Sequence, residues 1–230
     1  MPWPWVRRVG APAPEGPPPQ WPLRLQGRTP GGELVVLRPL AHGDAERYAA
    51  VRRTNAEWLA PWDATAPDRR EPGRTFGQLV EHYEHEARAG RMLPFALEVG
   101  GLLVGQVNLA SVTWGSFRSC AAGYWVSRSV AGRGVVPTAL AVAGDHALAV
   151  LGLHRIEVNI RPENVASLAV VRKLGFRAEG LRPHLLHIDG AWRDHLSFAL
   201  TTEDLGGESL TERLGRLSQQ PHPRHTVTGP

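Results

Sequence analysis

Cysteine and lysine are almost absent from this chain of 230 residues, which contains one of each, Cys120 and Lys173. A single cysteine cannot form an intramolecular disulfide, so we expect a reducing, cytoplasmic location. The chain also lacks a charged-then-apolar leader, and it has no apolar run of the ~20 residues that a membrane helix needs. These absences predict a soluble protein with no membrane partner.

The positive charge of the chain, formally +4, lies at its two ends. Residues 1–30 hold four Arg and one Glu, and residues 206–230 hold three Arg and two Glu. Residues 31–205 hold 19 basic and 19 acidic residues. Because this central part is neutral, we expect no direct nucleic-acid binding by it.

The distribution of proline suggests one domain between two extensions. Residues 1–30 contain nine of the 20 prolines, which oppose regular hydrogen bonding, so this segment is predicted to be a disordered arm. Residues 31–205 form the predicted domain. Residues 206–230 form a tail in which "SLTERLGRLSQQ" could make one short amphipathic helix.

Strand-like and helical patterns alternate within the domain. Strands are predicted for "ELVVLRPL", "PFALEV", "LLVGQVNLA", "SCAAGYWV", "RIEVNI", "FRAEGLRP", "HLLHI" and "WRDHLSFAL", with turns at Gly100-Gly101 and Asp189-Gly190. Helices are predicted for "AERYAAVRR", for residues 74–89, from the glycine turn to Leu151, and for "VASLAVVRKL". The order predicts an α+β fold with one strand, helix, strand unit, which must be a right-handed parallel crossover if both strands share the sheet.

A turn rich in glycine separates "GYWV" from the helix that follows it. Gly132 and Gly134 flank Arg133 there, so that neighbouring backbone N–H groups can converge on an anion without obstruction by Cβ atoms. The next helix adds its positive N-terminal end, and Pro137 fits a first turn that needs no donor. A pyrophosphate suits this turn. The spacing excludes a Walker loop, which needs a lysine, and a dinucleotide fingerprint, which needs glycine where Pro137 stands.

The turn "SVAGRG" is similar to the R/Q-x-x-G-x-G/A acetyl-coenzyme A loop of the GCN5-related N-acetyltransferase (GNAT) superfamily. The segment "RPENVASLAVVRKLGFRAEG" resembles the N-x-x-S…K-x-G-F segment of the same superfamily. Within it, the chain resembles the ribosomal-protein-alanine N-acetyltransferases of the RimJ type, through "TNAEWLAPWDA", "GSFRSCAAGYWV", "LHRIEVNIRPENVAS" and "HIDGAWRDHLSFALTTEDL". The chain departs from the loop pattern at Ser129, where many relatives have Arg or Gln.

The resemblance implies an α/β/α sandwich whose sheet is mixed and mostly antiparallel, with a central pair of parallel strands that splay apart. It implies that the pantetheine arm of acetyl-coenzyme A lies in this gap, and that no metal is needed. The implied cofactor-binding residues are Trp125, Val126, Ala131, Gly132, Arg133, Gly134, Val135, Asn164 and Ser167.

The resemblance also implies direct attack of an amine on the thioester, and we expect Cys120 to be a buried structural residue rather than a nucleophile. Ser167 is a candidate to protonate the leaving thiolate, although Ser167 and Asn164 could simply cap a helix. A backbone N–H near Val126 would stabilise the oxyanion.

Three residues, Asp63, Glu157 and His187, are candidates for the general base, and a water relay is equally compatible with the sequence. An N-terminal α-amine needs only a weak base for its deprotonation, because its reference pKa is near ~8. His82 and His85 are three residues apart, but no third metal ligand follows them at a useful spacing.

Trp58, Trp62, Asp63 and His187 are the candidate acceptor-binding residues, the tryptophans forming a slot for a small first residue or merely packing their loop. The leading hypothesis is transfer of acetyl to the N-terminal amine of a ribosomal protein, with alanine as the first residue. A polyamine or aminoglycoside acceptor and a non-catalytic coenzyme A-binding, ribosome-associated factor are the alternatives. Either a monomer or a homodimer is compatible with the sequence.

Overall fold

The computed structural model describes residues 20–68 and 73–219. Eight strands form one sheet in the order β1-β2-β3-β4-β5-β6-β8-β7. Their bounds are β1 Leu25–Arg28, β2 Leu34–Pro39, β3 Leu93–Val99, β4 Leu102–Thr113, β5 Ser119–Val126, β6 Arg155–Ile160, β7 Arg177–Ile188 and β8 Ala191–Thr201. Every neighbouring pair is antiparallel except β5 and β6, which are parallel, as the sequence predicted.

Helices cover both faces of this sheet. Their bounds are α1 Ala45–Thr54, α2 Ala56–Leu59, α3 Phe76–Arg88, α4 Val135–Asp145, α5 Val165–Lys173, α6 Thr202–Leu205 and α7 Leu210–Gln219. After α4 the chain continues as a π-helix, His146–Val150. Among the described residues, no helix has the length and apolar character needed to cross a membrane.

The alternation of side chains along β3 shows how the layers are built. Leu93, Phe95 and Leu97 pack into a large apolar cluster with α4, α5 and α7, whereas Ala96 joins a smaller cluster with residues of α1 and α3. Because successive strand residues point to opposite faces, the sheet is buried on both sides. The α/β/α sandwich predicted from the sequence is thus confirmed.

The sheet begins earlier than the sequence suggested. β1 lies within the stretch 1–30 that is predicted to be a disordered arm, and it pairs with β2. The ring of Trp21, in the same stretch, lies 5.7 Å from that of Phe95. The predicted boundary at residue 30 is therefore wrong for residues 21–30, because pairing with β2 outweighs the local abundance of proline. Residues 1–19 lie outside the described part of the chain.

The C-terminal helix predicted within "SLTERLGRLSQQ" is present as α7, but it is not a detached tail. Leu210 is fully buried and Leu214 is 5% exposed, and both belong to the large cluster. α7 packs on α4, and a Cβ on Gly144 of α4 would lie only 2.5 Å from Leu210. The domain therefore extends beyond residue 205.

The two predicted strands "FRAEGLRP" and "HLLHI" form one continuous strand, β7. The register of β7 against β8 shifts between Arg182 and Leu186, and His184 has a φ of 52°. Because β7 lies at the edge of the sheet, Pro183 can occupy this irregular stretch without removing a hydrogen bond from a central ladder.

The feature that creates a site is the short pairing of β5 with β6. Only Ser119, Cys120 and Ala121 of β5 pair with β6, opposite Arg155, Ile156 and Glu157. From Ala122 to Val126 the two strands separate, and the predicted splay is present. The backbone of β5 is therefore unpaired on one side just before the glycine turn.

Candidate active site

A cleft of about 540 Å³ opens where β5 and β6 separate. Its walls come from β5, the glycine turn, the first turn of α4, one side of α5 and the loop after α2. Eleven of the residues predicted from the sequence to bind cofactor or acceptor line it: Trp58, Trp62, Asp63, Trp125, Val126, Ala131, Gly132, Gly134, Val135, Asn164 and Ser167.

The glycine turn supplies free backbone donors at one end of the cleft. Gly132 and Gly134 have φ values of 80° and 83°, which a side chain would disfavour. Within the described chain, the N–H groups of Gly132, Gly134, Val135 and Val136 donate to no backbone carbonyl. Next comes Pro137, which has no N–H. These donors and the N-terminal end of α4 make a site suited to a phosphate or pyrophosphate group.

A Cβ placed on Gly132 would lie in open space, because no atom is within 4 Å of its ideal position. A Cβ on Gly134 would instead lie 3.2 Å from Cδ of Pro30. Gly132 therefore leaves room for an approaching ligand, whereas Gly134 is required by its backbone conformation and by the turn before β2.

The side chain at Ser129, where the pattern departs from many relatives, turns away from the cleft. Its hydroxyl lies 3.0 Å from that of Ser127, whose hydroxyl lies 3.3 Å from Oδ1 of Asn55. The same Asn55 oxygen accepts the N–H of Arg128 at 2.8 Å. The turn is therefore held by hydrogen bonds to the junction of α1 and α2, and its contribution to the cleft is made by backbone.

The direction of the β5 backbone can be read from the hydrogen bond between Ser127 N–H and the Val104 carbonyl of β4, at 2.7 Å. Because backbone groups alternate in direction along a strand, those of Val126 face the gap. The Val126 carbonyl accepts the indole N–H of Trp58 at 3.1 Å. The Val126 N–H consequently faces the same gap and is available as a donor.

The wall opposite β5 is formed by the start of α5. Oδ1 of Asn164 accepts the N–H of Ser167 at 3.0 Å, so Asn164 caps the helix. The Tyr124 hydroxyl donates to the Ser167 carbonyl at 3.4 Å, and burial raises the pKa of Tyr124 well above its usual range. Two hydroxyl groups that remain protonated at neutral pH, those of Ser167 and Tyr124, thus line this wall.

A loop containing Pro61, Trp62 and Asp63 closes the other side of the cleft. Arg161 holds it, because its guanidinium donates to the Pro61 carbonyl at 2.7 Å and stacks 5.5 Å from the Trp62 ring centre. Arg52 pairs with Asp63 at 2.5 Å. The carboxylate of Asp63 therefore faces the cleft already neutralised by a guanidinium.

Comparison with known proteins identifies this arrangement. Residues 35–177 match the profile of the acetyltransferase (GNAT) domain. The chain belongs to the GNAT acetyltransferase family.

Solved structures and curated relatives are similar to this GNAT chain over most of its length. The structure of Mycobacterium smegmatis RimJ in complex with CoA-disulfide is 40% identical, with a TM-score of 0.79, and covers 86% of this chain and 96% of that one. The [Ribosomal protein uS5]-alanine N-acetyltransferase of Escherichia coli is 31% identical over 75% of this chain and 90% of its own length. The spermidine N(1)-acetyltransferase of E. coli is 27% identical over 74% and 88%.

The GNAT assignment makes this protein an acetyl-CoA-dependent N-acetyltransferase, and the cleft fits that cosubstrate. Unpaired N–H groups at Gly132, Gly134 and Val135 suit its pyrophosphate, and the gap beside β5 suits its amide-containing arm. When bound, acetyl-CoA supplies an acetyl group activated as a thioester. Among the described residues, no cluster of three or more His, Cys, Asp or Glu side chains could hold a metal ion.

Three residues predicted for the GNAT site do not line the cleft: Arg133, Glu157 and His187. The guanidinium of Arg133 pairs with Glu33 on the other side of the turn. Glu157 is held between Arg155 at 2.8 Å and Arg182 at 3.2 Å.

His187 instead supports the loop after α2, because its Nδ1 lies 2.8 Å from the Thr65 hydroxyl and β7 bridges to Ala64. The ionic and loop contacts of these three residues come mainly from segments distant in sequence, and they could not be read from the residue types alone.

Four further polar residues line the GNAT cleft and were not assigned to it from the sequence: Asn108, Tyr124, Glu163 and Lys173. The sequence pattern of a strand aromatic does not distinguish Tyr124 from a core residue, and Lys173 stands out in the sequence only as the single lysine. The signal for Asn108 is a carboxamide within the mostly apolar strand "LLVGQVNLA", where a polar group needs a partner.

The single cysteine has the properties expected of a structural residue in this GNAT fold. Cys120 is 2% exposed, and burial raises the pKa of its thiol to about 12. It is therefore protonated at neutral pH and does not line the cleft, in agreement with the prediction that it is not a nucleophile.

Proposed function

We propose that this enzyme acetylates the N-terminal α-amine of a protein in the cytoplasm, and specifically an N-terminal alanine of a ribosomal protein. The two relatives that are 31% and 40% identical, a ribosomal-protein-alanine N-acetyltransferase and a RimJ, support this acceptor. Direct attack of the amine on the thioester requires no covalent enzyme intermediate, in keeping with the protonated thiol of Cys120.

The observation that carries the proposal is the character of the acceptor end of the cleft. Its surface is formed by the rings of Trp58, Trp62 and Trp125, and the carboxylate of Asp63 is neutralised by Arg52. A slot of this kind favours a small apolar first residue and a neutral amine. A polycation would be better held by several free carboxylates.

Donor binding, oxyanion stabilisation and leaving-group protonation each have a candidate group in the cleft. The N–H of Val126 is directed at the gap and can stabilise the oxyanion. Ser167 or Tyr124 can give a proton to the departing thiolate. The free Nδ2 of Asn164 can donate to the cosubstrate while its Oδ1 caps α5. Val126, Asn164 and either hydroxyl thus suffice for donor binding and leaving-group protonation.

In this proposal a water relay, rather than a side chain, removes the proton from the acceptor amine. Asp63 and Glu157 are both held in ion pairs with arginines, and His187 is turned to Thr65. An α-amine with a reference pKa near ~8 is roughly 10–20% neutral at pH 7, so a strong base is not required. A lysine side chain near ~10.4 would be neutral in fewer than about one molecule in a thousand.

The test is the release of coenzyme A thiol with four acceptors: an Ala-initiated peptide, the same peptide acetylated at its N-terminus but carrying a lysine, spermidine and an aminoglycoside. The proposal predicts release with the first only. Release with spermidine instead would favour the small-amine function suggested by the spermidine N(1)-acetyltransferase that is 27% identical. Cofactor binding without release from any acceptor would favour a non-catalytic binder.

A further inference from the structure

Two carboxamides lie next to each other on β4, on the face of the sheet that carries Trp125. Gln106 is opposite Trp125 in the register of β4 with β5, and Asn108 is opposite Gly123. Residues paired across strands share a face, so both carboxamides lie on the side of α1 and α3. The two carboxamides thus place polar groups among the aromatic side chains of this face.

Each carboxamide has one buried atom without a hydrogen-bond partner among the described residues, Nε2 in Gln106 and Oδ1 in Asn108, but the two differ in their other contacts. Oε1 of Gln106 accepts the Tyr48 hydroxyl at 3.1 Å and the Trp125 indole N–H at 3.0 Å, and Gln106 does not line the cleft. Asn108 has one long contact, from Nδ2 to the Tyr83 hydroxyl at 3.5 Å. Its Oδ1 is buried and has no hydrogen-bond partner among the described residues.

The residue opposite Asn108 leaves it open to the cleft. Gly123 has no side chain, nothing lies within 4 Å of its ideal Cβ position, and both Gly123 and Asn108 line the cleft. A buried acceptor without a partner costs roughly 1–3 kcal/mol unless a ligand satisfies it. The oxygen itself has no exposed surface, so a donor that enters beside Gly123 would reach it once the carboxamide rotates toward the cleft.

We propose that Asn108 binds the acceptor amine, with Oδ1 accepting one of its N–H groups and thereby orienting the nitrogen lone pair. This inference rests on the proposed transfer of acetyl to a primary amine. A neutral carboxamide holds a neutral amine without raising its pKa, as a carboxylate would. The ion-paired Asp63 then contributes to the wall of the slot, and Asn108 is the residue that contacts the nitrogen.

The experiment measures binding, so that it does not depend on turnover. The probe is coenzyme A joined through an acetyl bridge to the α-nitrogen of an Ala-initiated peptide, and a second probe carries spermidine in place of the peptide. Calorimetric titration compares each probe with coenzyme A alone, for the wild type and for Asn108→Ala, Asn108→Asp and Tyr83→Phe.

We expect Asn108→Ala to bind the peptide probe roughly tenfold more weakly, with unchanged affinity for coenzyme A. Asn108→Asp keeps an acceptor oxygen and should remain within about threefold of the wild type. Tyr83→Phe removes the one partner of Asn108 but leaves the oxygen in place, so probe affinity should not change.

Three results would overturn the inference. These are unchanged probe affinity in Asn108→Ala, an equal loss in Tyr83→Phe, which would indicate a purely structural contact, or a loss in Asn108→Asp as large as in Asn108→Ala. Failure of the proposed function looks different. The wild type would then bind the peptide probe no more tightly than coenzyme A. The affinities of the same variants for the spermidine probe would then decide whether Asn108 binds an amine.

Discussion

The variant Gly132→Ala tests two roles of this glycine in the anion-binding turn, its left-handed backbone conformation and the space that it leaves for a ligand. At a φ near 80°, a Cβ in the left-handed region destabilises the fold by roughly 1–2 kcal/mol. Gly190, in the turn between β7 and β8, has a φ of 76° and equally open surroundings, but it does not line the cleft. Gly190→Ala is therefore a matched control for backbone strain.

Both variants should lose similar stability, about 2–8 °C in melting temperature for a chain of this size. Only Gly132→Ala should weaken binding of coenzyme A, because its methyl group would occupy the space beside the free N–H groups. Loss of one hydrogen bond to a charged group costs about 1.5–3 kcal/mol, or roughly 10- to 150-fold in affinity. Differential scanning calorimetry and calorimetric titration measure the two effects, and equal coenzyme A affinity in both variants would refute the placement of the pyrophosphate.

Three further predictions concern the proton donor, the acceptor wall and the cysteine. Ser167→Ala should lower kcat about a hundredfold with coenzyme A affinity unchanged, and an unchanged kcat in steady-state assays would transfer the role to Tyr124. Trp58→Phe, which leaves the Val126 carbonyl without its donor, should cost about 1 kcal/mol of stability in urea unfolding and raise the acceptor KM; an unaltered KM would argue against this wall. The Cys120 thiol ionises near 9.0 in the unfolded chain and at about 12 in the native protein. Stability should therefore fall as pH rises through this window, by up to about 1.4 kcal/mol per unit for this thiol. Cys120→Ala should remove the slope between about pH 9 and 10, below the range in which Tyr48 and Tyr124, whose pKa values burial also raises, add to it.

Most elements of the fold were predictable because their signals are local. Gly100-Gly101 and Asp189-Gly190 mark hairpins, and alternation or helical periodicity fills the segments between them. β1 was missed because "LQGR" has no period of its own and is a strand only through β2. β7 was divided at Pro183 because the tolerance of an edge strand for proline depends on its place in the sheet.

The cofactor end of the site was more predictable than the acceptor end for a related reason. Free backbone donors at Gly132 and Gly134 follow from adjacent sequence. Glu157 is paired with Arg182, which is 25 positions away, as well as with its near neighbour Arg155, and Asp63 is paired with Arg52. Ion pairing between distant segments decides which carboxylates are available, and no local pattern encodes it.

The segments on either side of the GNAT core have a consequence for how the enzyme can be shortened. A chain trimmed to residues 31–205 would keep every residue that lines the cleft, yet it would lose the Thr29–Pro30 turn that contacts Gly134 and the buried Leu210 and Leu214 that cover α4. Coenzyme A affinity should therefore fall in the trimmed chain although every lining residue is retained. The two flanking segments support the glycine turn and α4 from outside the cleft.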